Sequence, residues 1–265
     1  MGRVPTVAET GSTNSDVLAL ARDGAPEGTW LRAERQAAGR GRQGRVWESP
    51  LGNLYASTLV RLRPADPPAP TLALVAAVAL HEAATLHCHS RESGDPVHPS
   101  GALDQKLGSR FRGNDNGGDA RVQIKWPNDL LARTPQGVWA KLAGILLERA
   151  EDAVVIGFGV NLAHAPTSLD RPATSLAALT GAAPEPAAFV QTLAETLAST
   201  LVLWRIEGLA PIRTRWLDAA HPVGTALVTP AGEGLFDGLD KTGALRLRLA
   251  DGSSRVIHAG DVFLI

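Results

Sequence analysis

Cysteine is nearly absent. A single residue, Cys88, stands in 265 positions, so no internal disulfide can form and a disulfide-stapled secreted scaffold is excluded. A charge excess of either sign is missing too. The 26 Lys+Arg and 27 Asp+Glu leave a formal net charge of −1, which removes the sequence-independent attraction to phosphate that a nucleic-acid binder carries. The longest apolar run, residues 72–80, has nine residues and is rich in alanine. That is about half a membrane span, so it reads as a core helix and no membrane partner is expected. Met1-Gly-Arg-Val-Pro5 offers no apolar signal region, and a cytoplasmic location is expected. Lysine is scarce as well: Lys106, Lys125, Lys141 and Lys241 stand beside 22 arginines. A chain this averse to lysine makes each remaining one a candidate for work that needs a compact ammonium and not a planar fork.

What is present suffices for a sizeable core. Hydrophobic residues make up 44% and charged residues 20%, and the length suits one large domain or a medium domain with a small one. Thr13, Asn14 and Asp16 precede Val17, Leu18, Leu20 and Ala21, with Gly24 and Pro26 after them. This is the signature of a short capped helix with a stop. Strands are predicted over 30–33 and 53–63, separated by a Gly/Arg-rich loop at 38–44. The prolines at 64, 67, 68 and 70 open a helix over about 71–87. Residues 89–118 carry little apolar content and many turn formers, which predicts a disordered insertion. Order returns at Arg121 with a strand, followed by strands at about 139–148 and 154–160. Phe189, Leu193, Leu197, Leu201 and Trp204 recur at helical spacing, giving a long helix over 185–207 stopped by Gly208. From Val223 onward only short strands follow, at 226–229, 235–239, 244–249, 255–258 and 262–264. Asp251-Gly252 and Lys241-Thr-Gly243 supply the turns. Some 43 residues of this kind form a small barrel-like module docked on the main domain.

Gly39-Arg-Gly41-Arg-Gln-Gly44 satisfies G-x-G-x-x-G to the letter. The dinucleotide reading needs a helix opening at the last glycine, whereas strand formers follow here, and no acidic residue holds the ribose position. The segment has another logic. Arg40, Arg42 and Arg45 alternate with glycines whose bare backbone can approach an anion, and guanidinium forks grip phosphate or carboxylate. Empty, such a loop would repel itself and stay mobile until an anion binds. Lys125-Trp-Pro-Asn-Asp129 leaves an apolar strand through Pro127, with Asn128 and Asp129 as turn formers, and aims Lys125 at a cleft. A salt-bridged structural lysine is the plainer alternative. Lys141 invites the same argument with less weight. Four histidines (His81, His87, His89 and His98) lie near Cys88 and make a metal site conceivable, but position 85 holds no histidine to complete H-E-x-x-H from His81-Glu82, and most of the cluster sits in or beside the expected insertion; no metal ligands are assigned. In Gly157-Phe-Gly159-Val-Asn161, the glycines signal close approach by a ligand or by another backbone.

These segments in this order resemble the biotin protein ligases: Ser12-Thr13-Asn14, Gln36, the Gly39–Arg45 loop with Trp47, Lys125–Asp129, Lys141-Leu-Ala-Gly144-Ile145 and Gly157–Asn161. The resemblance runs from about residue 7 to the end, apart from the insertion. It implies an α+β fold, a mixed β-sheet flanked by helices of the class II aminoacyl-tRNA synthetase and biotin ligase type, with a C-terminal SH3-like barrel. It would divide the chain into a catalytic domain at 1–220 and the barrel at 221–265. The implied activity uses biotin and ATP with Mg²⁺ to make biotinyl-5′-AMP. The biotinyl group then passes to a lysine of a biotin carboxyl carrier protein, a subunit of acetyl-CoA carboxylase or a related carboxylase. By the same resemblance Ser12, Thr13, Asn14, Gln36, Gly39, Arg40, Gly41, Arg42, Lys125, Gly144 and Gly159 bind biotin. Arg42, Arg45, Trp47, Asn128, Lys141 and Asn161 bind ATP, and Lys125 and Arg42 are catalytic. Only eleven residues precede Ser12, so no winged helix and no operator DNA are expected; a homodimer is left open. A lipoate or octanoate ligase shares the implied fold, but Lys125–Asp129 and Arg40-Gly-Arg42 belong to the biotin side. A non-enzymatic protein, either disabled by its insertion or binding an anionic partner through its arginine loop, is the other alternative.

Overall fold

The structure, a computed structural model, describes residues 3–92, 121–166 and 171–264. Seven strands form one mixed sheet: β1 (Thr6–Thr10), β2 (Trp30–Gln36), β3 (Leu54–Arg61), β4 (Val122–Lys125), β5 (Asp129–Arg133), β6 (Trp139–Ala150) and β7 (Ala153–Val160), in the order β1-β2-β3-β7-β6-β5-β4. Only β1 and β2 run parallel; the other neighbours are antiparallel.

Side-chain alternation along these strands assigns the two faces. One set, including Val60, Ile124, Leu130, Leu142, Ile145, Val154, Ile156 and Phe158, joins the main core. Helices α2 (Leu72–Glu92) and α4 (Pro186–Glu207) cover it through Leu72, Val75, Leu80, Phe189, Leu193 and Trp204. Both helices are long and apolar enough to cross a bilayer, yet much of each is buried inside the fold. On the opposite face α1 (Thr13–Arg22) packs Val17 and Ala21 against Leu59, Ala153 and Val155. Because α1 is only 10 residues long, it leaves the rest of that face open. Lys125, Asp129, Leu131, Lys141, Gly144, Gly157 and Gly159 line the opening.

The C-terminal part is a second, five-stranded antiparallel sheet: β8 (Ala226–Thr229), β9 (Gly232–Leu239), β10 (Leu245–Arg248), β11 (Ser254–Ile257) and β12 (Phe263–Leu264). Its order is β11-β10-β9-β8-β12. The sheet is barrel-like but does not close, because the described residues of β11 and β12 do not pair.

Most expected elements are present, with shifted ends. The helix expected at 71–87 continues to Glu92, taking in the first four residues of the expected insertion; 93–118 lie outside the described residues. Among the strands and α-helices of the described residues, four were not anticipated: β1, β5, α3 (Leu176–Thr180) and α5 (Leu209–Ala219). β1 is exposed along most of its length and so has no apolar alternation to announce it. Asp129, expected in a turn, instead pairs with Lys125 as the first residue of β5.

Candidate active site

The open face of the sheet holds a cavity of about 670 Å³. At one end, the N-terminus of α1 presents a neutral polar set. Ser12, Thr13 and Asn14 are all buried, and Ser12 occupies the N-cap without a side-chain cap bond. The Thr13 amide donates to Gln36 Oε1 at 2.9 Å, and the Thr13 hydroxyl lies 2.7 Å from Ser57 Oγ. Ser57 donates to Asn14 Oδ1 at 2.6 Å, and Asn14 Nδ2 donates to Glu148 Oε2 at 2.7 Å. Such a chain fixes every rotamer in it. It also explains Gly157. A Cβ there would stand 2.1 Å from Asn14 Oδ1, so the close approach signalled by this strand glycine is that of a side chain, Asn14.

The other end is cationic. Lys125, at the last position of β4, is buried and lies 3.1 Å from Asp129 Oδ2, while Lys141 Nζ lies 2.7 Å from Asp129 Oδ1. The plain reading of Lys125 as a salt-bridged residue and the reading of it as aimed at a cleft both hold: it is paired and it lines the cavity. Burial pushes the Asp129 pKa up, but the ammonium groups of Lys141 and Lys125 outweigh it and hold the carboxyl below its ordinary value. Behind Lys125, the buried imidazole of His221 packs on Phe236 with ring centroids 4.5 Å apart. Burial, and then the Lys125 charge, lowers its pKa to about 4.

The arginine loop bends over the cavity, and its charges are not left to repel one another as expected from the sequence. Arg40 reaches Ser15 Oγ at 2.9 Å and Glu148 at 3.3 Å. Arg42 donates to Asn128 Oδ1 at 3.1 Å and to the Gly260 carbonyl at 3.4 Å, and it pairs with Asp261 at 3.8 Å. Arg45 also pairs with Asp261. The self-repulsion is offset by Glu148 and Asp261, two carboxylates that sequence reasoning did not single out.

The remaining expected residues divide by contact. Gly41, Gly144 and Gly159 line the cavity. Trp47 lies over Gly144 and Gly159 with its amide bonded to the Gly39 carbonyl at 2.9 Å. Asn128 donates to the Ile145 carbonyl at 2.6 Å, and Asn161 donates to the Thr174 carbonyl at 3.0 Å. Both amides therefore brace backbone as well as border the cavity. Arg171 and Phe263, not anticipated, also line it, with the Arg171 guanidinium 3.4 Å from the Phe263 ring centroid. Of the expected histidine cluster, His81 bonds the Val122 carbonyl at 3.1 Å and His87 meets Thr192 at 3.3 Å. Among the described residues no three His, Cys, Asp or Glu side chains gather as a metal site.

A mixed sheet whose open face gathers the polar Ser12–Asn14 set together with Lys125, Lys141 and the arginine loop in one cavity defines a domain for ligands that combine an uncharged head with an anionic tail. The sequence profile of the biotin/lipoate A/B protein ligase family matches residues 10–161, and that of the biotin protein ligase C-terminal domain matches residues 229–265. The biotin–[acetyl-CoA-carboxylase] ligase of Paracoccus denitrificans is 35% identical, over 97% of this chain and 98% of its own. The enzyme of the same name from Mycobacterium tuberculosis is 35% identical over 98% and 88%. Biotin protein ligase from Aquifex aeolicus, solved with biotin and ATP, superposes over 100% of this chain and 99% of its own, with a TM-score of 0.75 at 22% identity. The chain belongs to the biotin/lipoate A/B protein ligase family.

Proposed function

We propose that this protein activates biotin with ATP as biotinyl-5′-AMP and transfers the biotinyl group to a lysine of a biotin carboxyl carrier protein. The observation that carries this reading is that one cavity brings together the Ser12–Asn14 set with Lys125 and the arginine loop. A neutral cyclic urea needs a few fixed hydrogen-bond partners, which Ser12, Thr13, Asn14 and Gln36 supply, with Gly39, Arg40 and Gly41 closing over it. In the first step a biotin carboxylate oxygen attacks the α-phosphorus and pyrophosphate leaves. Two anions must meet, and a preorganised Lys125 together with Arg42 stabilises the charge that develops. Arg45, Asn128 and Lys141 hold the phosphates, and Trp47 and Asn161 border the adenine. Mg²⁺ comes with the nucleotide.

In the second step the neutral carrier lysine amine attacks the anhydride carbonyl, AMP leaves, and the proton shed by the new amide nitrogen passes to solvent. Asp129, ion-paired to two lysines and held below its ordinary pKa, is a poor base for that amine; its part is to hold Lys125 and Lys141 apart. Closure of the loop over the site keeps water from the mixed anhydride. The near-zero net charge supports a ligase that does not bind DNA, and the single buried thiol of Cys88 accords with the reducing cytoplasm.

The test is incubation with biotin, ATP and an apo-carrier domain, followed by mass spectrometry of the carrier. A biotinyl adduct and biotin-dependent pyrophosphate release are expected; absence of both sinks the reading. Gly157→Ala probes the head-group end. Its Cβ would collide with Asn14, so calorimetric titration with biotin alone should show affinity down by about tenfold or more.

A further inference from the structure

We infer that Gly144 and Gly159 act on the nucleotide through Trp47: the two glycines form the bare seat on which its indole lies, and so they fix where that ring meets the ligand. The inference rests on the proposal that Trp47 borders the adenine. The two residues face each other across β6 and β7 as register partners. A Cβ on Gly159 would stand 2.5 Å from Trp47 Cε2 and 2.8 Å from its Nε1, and one on Gly144 would stand 3.0 Å from Cζ3. Neither glycine has a positive φ. The backbone would accept alanine at both positions; the indole is what demands glycine at Gly159, and at Gly144 it would have to give by a few tenths of an ångström.

The rest of Trp47 is held as firmly. Its amide donates to the Gly39 carbonyl at 2.9 Å, and a Cβ on Gly39 would lie 2.5 Å from the Trp47 carbonyl oxygen. Lys141 Nζ sits 5.5 Å from the ring centroid. The indole N–H is buried and has no partner among the described residues. An unpaired buried donor is costly, which suits a group whose acceptor arrives with a ligand. Both glycines are thus positioning residues, whereas the resemblance had them touching biotin.

A double-mutant cycle tests this. Gly159→Ala should raise the KM for ATP in biotin-dependent pyrophosphate release by about tenfold, while the Kd for biotin without nucleotide stays near the wild-type value. In a Trp47→Ala background the same change should add nothing. If Gly159→Ala costs as much without Trp47 as with it, the glycine meets the ligand itself and the inference falls. Gly144→Ala, with its longer contact, should show the same pattern more weakly and serves if the first variant fails to fold. Acrylamide quenching of the Trp47 fluorescence, taken by difference against Trp47→Phe, should increase in Gly159→Ala as the ring is unseated; unchanged quenching overturns the inference. This optical measurement needs no turnover. A wild-type protein without biotin transfer would remove the proposed function and still leave the seat to be decided.

Discussion

Lys125→Ala is expected to slow biotin-dependent pyrophosphate release by about a hundred- to a thousandfold, with a much smaller change in the Kd for biotin. The reason lies in where the ammonium stands. Lys125 ends a buried strand, is only 9% exposed, and is oriented by Asp129 at 3.1 Å. A charge fixed in so dry a place needs no reorganisation when the carboxylate and the α-phosphate close on each other, so its effect falls on the transition state and appears in kcat. Lys125→Arg should not rescue, because a planar fork needs more room and other angles than this slot gives. Stability should change little by comparison, since Asp129 keeps Lys141 at 2.7 Å. Single-turnover measurement of pyrophosphate release checks the rate. A variant within about tenfold of wild type would remove Lys125 from the reaction.

Lysine scarcity made Lys125 and Lys141 visible in the sequence, and the structure puts both on one carboxylate. The strands β6 and β7 were equally legible as apolar runs, and β7 is buried along nearly its whole length. The partners of the arginines were not. Glu148 is 108 residues from Arg40, and Asp261 is 216 residues from Arg45. No local period links residues so far apart, and a lone acidic side chain at a strand end or in a loop looks like any solvated one. Gly157 announced a close approach without saying by what, since Asn14 comes from a different element. β5 was hidden because Asp129 serves both as a turn former and as the first ladder residue, and turn chemistry is the stronger local signal. α5 was hidden by Pro211 in its first turn and by a buried stripe reduced to Ile212 and Trp216.

Asp129→Asn carries the second large effect, on stability and on its pH dependence together. The carboxylate is 13% exposed and separates two ammonium groups. Neutralising it leaves both cations facing each other with no counter-charge, and removing one partner from a buried ion pair costs about 3–5 kcal/mol. Urea unfolding at neutral pH should register a loss of that order. Because the folded pKa of Asp129 is depressed, its contribution is fully present above the unfolded value of about 3.9 and is lost as pH falls through the lower folded value. The wild-type protein should therefore lose stability on acidification through that window, and Asp129→Asn should lose less, because part of that proton linkage is gone. The two unfolding midpoints should converge as pH drops. A variant as stable as wild type at neutral pH, or a gap between the midpoints that persists into acid, would mean that Asp129 does not hold Lys125 and Lys141 in place.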